Sequence, residues 1–266
     1  HLKKIITPRT KAVILVHYAG FIDNEIFEIK KFLKKKNIKL IEDCAHAIGA
    51  KKNGMYAGTI GDIGCFSFYS TKNLTTGEGG MIICKNKTLF RKMQSFRSRG
   101  LNYNSKTEEY NNHGTNARMT EFQAILGLHQ LNRIDKITTE RNKIADNYNK
   151  LLSKLFEKKK LKSFFDKEDK IKDINSYWKF PLKIIGNISR NKLQKSLKKK
   201  GIVIDWAYDP LIHKQKIIEK VLGRKKFAKS EKLTKLFFCL PIYYGLKISD
   251  QKIICSKLKR SLDDQS

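Results

Sequence analysis

Apolar residues along this chain alternate between short unbroken runs and longer stretches with helical spacing. Lys11-Ala-Val-Ile-Leu-Val-His17 is one such run, as expected of a strand buried on both faces. Asp23 stands where an N-cap belongs, ahead of a helix running to about Lys36 with Ile26, Ile29 and Leu33 on one side. Lys39-Leu-Ile-Glu-Asp43 reads as the next strand, so residues 11–43 resemble a β-α-β unit. Further strands are predicted at 64–69 and 81–84, separated by the polar, glycine-containing stretch 70–80. Thr120-Glu-Phe-Gln123 has capping-box spacing and opens a long helix that carries Phe122, Ile125 and Leu126.

After about residue 155 the pattern changes. Residues 157–173 are mostly Lys, Asp and Glu and read as a solvated connection. A strand at 177–184, a helix at 189–199, a strand at 201–206 and a final helix at 250–262 follow, which makes a smaller α/β domain. The boundary falls along the long helix, within 135–155, and divides the chain into 1–140 and 141–266. No internal repeat is present.

Composition narrows the function. With 266 residues and 40% hydrophobic content, a sizeable core can be buried and global disorder is excluded. The net charge of +31 suggests an anionic partner. Only ten of the 56 basic residues are Arg, however, and the lysines run from Lys3 to Lys259. That spread fits a lysine-rich surface better than a specific nucleic-acid face. Cys44, Cys65, Cys84, Cys239 and Cys255 show neither CxxC nor paired spacing, the pattern of reduced thiols in the cytoplasm rather than disulfides or a metal site. The apolar stretches at 13–16 and 237–244 are too short to span a membrane. No signal peptide is recognisable. The start at His1, without Met, points to the interior of a longer protein.

Three segments carry candidate chemistry. Ile41-Glu-Asp-Cys-Ala-His-Ala-Ile-Gly49 places Asp43 at the carboxyl end of a strand, where open α/β sheets bind ligands. Cys65-Phe-Ser-Phe-Tyr-Ser-Thr-Lys-Asn-Leu-Thr-Thr-Gly-Glu-Gly-Gly80 places Lys72 just beyond another strand, among hydroxyls and glycines. No Gly-Lys-Ser/Thr follows those glycines, so they are not a P-loop. His113-Gly-Thr-Asn-Ala-Arg-Met-Thr-Glu-Phe-Gln123 leads into the long helix. A lysine for a Schiff base, a carboxylate for a pyridinium nitrogen and hydroxyl or amide groups for a phosphate together make the set that pyridoxal phosphate requires.

These segments, with 7–17, 201–213 and the stretch from Ser230 to Pro241, resemble the DegT/DnrJ/EryC1/StrS family of pyridoxal-phosphate-dependent sugar aminotransferases. The resemblance implies an aspartate-aminotransferase-like, type I fold: part of a large α/β domain with a mostly parallel sheet, then a small C-terminal α/β domain. It implies that Lys72 is the Schiff-base lysine and proton carrier and that Asp43 pairs with the pyridine nitrogen. His46 stands beside the ring hydroxyl, and Ser67 hydrogen-bonds the phosphate. Asn116 reaches the phosphate of a neighbouring subunit, so a homodimer is expected, and His213 lies near the substrate. The implied reaction aminates a keto group on a nucleotide-linked sugar, with glutamate as donor, for polysaccharide or glycan synthesis in the cytoplasm. Lys72 favours transamination over the dehydratases of the family, which have His there.

Two departures stand out. Family members carry a further segment ahead of the position of Thr7, with a phosphate-binding loop and a ring-stacking aromatic. A chain lacking it is expected to be weakly active or inactive, or else a non-catalytic relative with a binding or regulatory role. Arg99 stands where the family commonly has His. An aminotransferase acting on another carbonyl, such as an aminocyclitol precursor, and a nucleic-acid binder with steeply salt-dependent affinity are the remaining rivals.

Overall fold

After a single helical turn at Leu2–Ile5 come two strands joined by an amphipathic helix. They are β1 (Ala12–Val16), α1 (Ile26–Lys35) and β2 (Lys39–Asp43) in the computed structural model, which describes residues 1–164, 173–205 and 209–265. Helix α1 follows Glu25, not Asp23. Asp23 Oδ1 instead accepts the Glu25 N–H at 2.8 Å and shapes the turn before the helix. Strands β3 (Ile63–Ser67) and β4 (Gly80–Cys84) complete a four-stranded sheet in the order β1-β2-β3-β4. The first three strands are parallel, with Val16 beside Asp43 and Asp43 beside Cys65; β4 is antiparallel, with Gly80 beside Ser67.

Alternation along β2 sorts its side chains. Leu40 and Glu42 are buried while Ile41 and Asp43 are half-buried on the other face. On the buried side Leu40 and Cys44 pack with Ile26 and Leu33 of α1 and with Ala47, Ala50 and Ile60. Each large side chain buried there contributes about 1.5–3 kcal/mol.

The chain continues through α2 (Lys87–Arg97), capped by Asn86 Oδ1 on the Leu89 N–H at 2.8 Å. Its apolar residues Leu89, Phe90, Met93 and Phe96 stand at helical spacing among charged neighbours, a helix not among the sequence-based expectations. The expected long helix is two: α3 (Glu121–Leu131), with the capping box in place, and α4 (Ile134–Glu157), separated at Asn132 and Arg133. The break coincides with a change of environment, since α3 has no buried residue whereas Ile134 and Ile137 are buried.

Two compact units result, His1–Thr139 with Lys170–Trp178, and Glu140–Asp169 with Lys179–Ser266. The chain thus returns to the first unit within the stretch that the sequence assigns to the second domain. In the second unit β5 (Leu161–Ser163), β6 (Phe180–Ile184) and β7 (Phe237–Leu240) form an antiparallel sheet, with helices α5 (Arg190–Lys199) and α6 (Ile248–Asp263). Tyr148 and Leu152 of α4 are buried with Leu182, Phe238, Leu193 and Leu258, and the Tyr148 hydroxyl donates to Pro241 O at 2.8 Å.

Three expectations change here. The connection at 157–173 contains the edge strand β5 with Leu161 buried, and 165–172 lie outside the described residues. The strand expected at 177–184 starts only at Phe180. At 201–206 only Asp205 pairs, with Cys239, and Trp206 lies outside the described residues. The strand that pairs with β6 on the side away from β5 is β7, the run at 237–240, whose four residues are all buried.

Candidate active site

The carboxyl ends of β1, β2 and β3 lie side by side, and the loops leaving them carry the polar groups singled out above. The His17 N–H donates to Asp43 O at 3.0 Å, and the Cys44 N–H to Cys65 O at 2.8 Å. Asp43 is therefore held from both neighbouring strands at the point where β2 ends. Its Oδ1 accepts the Ala45 N–H at 3.0 Å, an Asx-type turn that leads the chain to His46.

His46 is buried, and its Nδ1 accepts the Ala19 N–H at 3.4 Å. That contact requires its proton on Nε2. The ring stacks on the Trp178 indole, with centroids 3.7 Å apart and planes 17° apart. Ser67 ends β3, and its Oγ accepts the Tyr69 N–H at 3.4 Å.

Lys72 follows a turn closed by its own N–H on Tyr69 O at 2.9 Å, and its ammonium lies 4.5 Å from the centre of the Trp178 ring. The polar run after it folds back on itself. Phe68 donates to Gly79 O and accepts from the Thr76 N–H, both at 2.9 Å. Gly79 has φ +149°, and a Cβ there would come within 2.5 Å of Thr76 Oγ1, so a side chain does not fit. Helix α3 clasps the loop, since Gln130 both accepts from the Thr75 N–H at 3.1 Å and donates to Thr75 O at 2.7 Å. Gln123 Nε2 also reaches Glu78 O at 2.8 Å.

The remaining sequence candidates sit in other surroundings. Asn116 is exposed, pairs through its backbone with Ser98 and accepts from Arg118 Nε at 3.2 Å. His213 belongs to the second unit, where its Nε2 is 3.1 Å from Glu231 Oε1 and its ring meets Phe227 edge-on at 4.9 Å. The Phe227 N–H, Lys214 and His213 together hold the Glu231 carboxyl down to about 2. Arg99 adopts φ 65° and pairs with Glu108 at 3.3 Å, over the Tyr110 ring.

Two groups were not singled out by sequence. Behind Asp43, Glu42 is fully buried and accepts from His17 Nε2 at 2.9 Å, from the Gly58 N–H at 2.8 Å and from the Gly61 N–H. Burial raises its pKa, but these hydrogen bonds outweigh burial and hold it below the ordinary carboxylate value. Cys44 lies near this pair, and His17, Glu42 and Cys44 place one donor atom each within 4.8 Å of one another. Burial, with Glu42 and Asp43 nearby, pushes the Cys44 thiol well up. A protonated thiol beside a carboxylate already holding three donors is a hydrogen-bonded core cluster rather than a metal cage. The second group is Trp178, which alternation alone places in a strand.

Amine, carboxylate, hydroxyl and imidazole thus occupy the loops and ends of adjoining strands. That donor set fits pyridoxal phosphate: an amine for the carbonyl, an anion for the ring nitrogen and a hydroxyl for the phosphate.

The sequence profile of the DegT/DnrJ/EryC1/StrS aminotransferase family matches residues 1–259. The chain belongs to this family. It is 36% identical to MJ1066 of Methanocaldococcus jannaschii over 271 positions, covering 95% of this chain and 67% of that protein. It is 39% identical to the GDP-perosamine synthase of Escherichia coli O157:H7 over 154 residues, covering 58% of this chain and 42% of the synthase. Among solved structures, NtdA of Bacillus subtilis with bound cofactor PMP superposes with a TM-score of 0.84 at 26% identity, covering 98% of this chain and 59% of that one. The chain therefore spans less than half of that synthase and about two thirds of MJ1066. The fold is that of the type I, aspartate-aminotransferase-like enzymes, and the family depends on pyridoxal phosphate.

Proposed function

We propose that this chain is part of an aminotransferase that exchanges a keto oxygen for an amino group on a nucleotide-linked sugar. The carrying observation is Lys72 and Asp43 on the loop and strand end of one sheet, in a chain of this family. When bound, pyridoxal phosphate supplies an electron sink through which an amino group passes from donor to acceptor. The chain's own residues do the rest. Lys72 is the nucleophile and proton carrier; Asp43 sets a negative charge against the ring nitrogen. His46 Nε2–H donates beside the ring, and Ser67 Oγ donates to the phosphate.

Asn116 is the residue that a second copy contributes, so the working form is a homodimer, and His213 lies toward the substrate. Glutamate is the amino donor, the product serves surface polysaccharide or glycan synthesis, and the enzyme works in the cytoplasm. The net charge of +31 favours encounter with a doubly charged nucleotide-sugar by steering, without conferring specificity. Among the described residues no helix is long and apolar enough to cross a membrane.

The test is an absorbance titration of the purified protein with pyridoxal phosphate, alongside Lys72→Ala. A band present in the parent, absent in Lys72→Ala and shifted by glutamate is expected. A flat spectrum in the parent would refute the assignment for this chain.

A further inference from the structure

The segment just ahead of β6 is bolted to the candidate site at both ends. Upstream, the Lys52 ammonium is buried and pairs with Asp173 at 2.8 Å, and Asp173 Oδ1 accepts the Asn53 N–H at 2.9 Å. Lys51 and Ile174 exchange both backbone hydrogen bonds, at 2.7 and 2.9 Å. Ser176, fully buried, donates its N–H to Gly20 O at 2.9 Å and its hydroxyl to His46 O at 2.8 Å. Gly20 is required at that crossing, because a Cβ would come within 2.4 Å of Ser176 Oγ.

The downstream half grips the lysine loop itself. Asn73 Nδ2 donates to Ser176 O at 2.7 Å, and the Trp178 indole N–H donates to Thr71 O at 2.8 Å. Both residues flanking Lys72 are thereby tied to this segment. Between them, Tyr177 adopts φ 44°, a conformation that a bulky residue holds only where its surroundings enforce it. Here they do, since its buried ring meets Phe21 edge-on at 5.0 Å. The left-handed step after Ser176 brings Trp178 back to the site, against His46 at 3.7 Å and under the Lys72 ammonium at 4.5 Å.

We infer that residues 173–178 form a strap whose terminal tryptophan is a positioning residue for Lys72. A lysine side chain, with four rotatable bonds, has much rotamer entropy to lose on being fixed. An ammonium over an indole face is attracted by the negative face of the ring, more strongly where solvent is kept away. Trp178 offsets part of the ordering cost before any ligand arrives, and its edge fixes the loop backbone on which Lys72 sits. His46 on the indole keeps the platform from turning. This inference rests on the reading of Lys72 as the reactive amine, and the experiment separates the two.

The first arm needs no cofactor. The chain has two tryptophans, so Trp206→Phe leaves Trp178 as sole emitter. In that background Lys72→Met, which keeps length and removes charge, changes the emission, whereas Lys72→Arg retains most of the parent spectrum and Lys34→Met leaves it unaltered. Superimposable spectra for parent and Lys72→Met would overturn the inference. The second arm follows capture of pyridoxal phosphate, counting only the absorbance that Lys72→Ala abolishes. Trp178→Leu captures roughly 2- to 5-fold more slowly than the parent, and Trp178→Phe, with a smaller ring face, falls between. Equal rates in the three proteins would overturn the positioning role. A positive first arm with no capture by the parent leaves the strap contact standing and removes the cofactor reading instead.

Discussion

Glu42 is a carboxylate without access to water, one residue from Asp43 but on the other face of β2. It joins three segments, because His17, Gly58 and Gly61 all donate to it. Removing the acceptor strands those donors in the core. Glu42→Ala is therefore expected to destabilise the protein by about 3 kcal/mol, and Glu42→Gln, which keeps one acceptor, by about 1–2 kcal/mol. The pH dependence follows from the direction of its shift. The folded-state pKa lies below the ordinary value of 4.5. The stabilisation is thus fully present above 4.5 and is lost as pH falls through the folded value. Urea denaturation at pH 7 and at steps down to pH 3 measures it. A parent and a Glu42→Gln variant losing stability in parallel over that window would exclude this role for the ionised carboxylate.

At the scale of elements, α3 shows how a local signal reaches the site. The Thr120 hydroxyl and Gln123 side chain close the capping box that the sequence announces, and the same Gln123 extends to Glu78 O in the lysine loop. Thr120→Ala should cost about 1 kcal/mol in thermal unfolding and speed amide exchange within residues 75–80. Unchanged exchange there would mean that the helix start and the loop are independent. What local sequence could announce is visible in the same elements. Strands β1 and β2 and the capping box are patterns of neighbouring residues, and Asp43 and Lys72 stand at strand ends that such patterns locate. Helix α2 and strand β7 were legible by the same rules, since Leu89, Phe90, Met93 and Phe96 stand at helical spacing and 237–240 is an unbroken apolar run like β1. Trp178 was misplaced for a deeper reason. Its position depends on bonds to Thr71 and, through Ser176, to Gly20, His46 and Asn73, all about a hundred or more residues away. No spacing rule encodes contacts of that separation.

For the whole molecule, the decisive quantity is apolar surface left bare. Phe122 is 87% exposed, Ile125 66% and Leu128 63%, all on α3, and Ile14 of β1 is 65% exposed. A single exposed leucine is ordinary, but a helix whose large apolar residues are all exposed is the kind of surface that the proposed homodimer requires. Helix α3 also clasps the lysine loop and begins five residues after Asn116, so under the proposed function a second copy seated on α3 is the route by which Asn116 reaches a neighbouring site. Charge opposes that assembly, since two copies carrying +31 each repel, and the repulsion is screened within about 10 Å at 0.1 M salt. A dimer held by apolar burial therefore tightens as salt rises, the reverse of a nucleic-acid complex, which weakens by counterion release. Sedimentation of the protein at low and at physiological ionic strength is expected to show a dimer fraction that grows with salt. Phe122→Asp combined with Leu128→Asp should leave a monomer at both, because each new carboxylate would have to be buried unpaired on association. A parent that sediments as a monomer throughout, or a double variant that dimerises as well as the parent, would remove α3 from the interface and with it the route by which Asn116 reaches a second site.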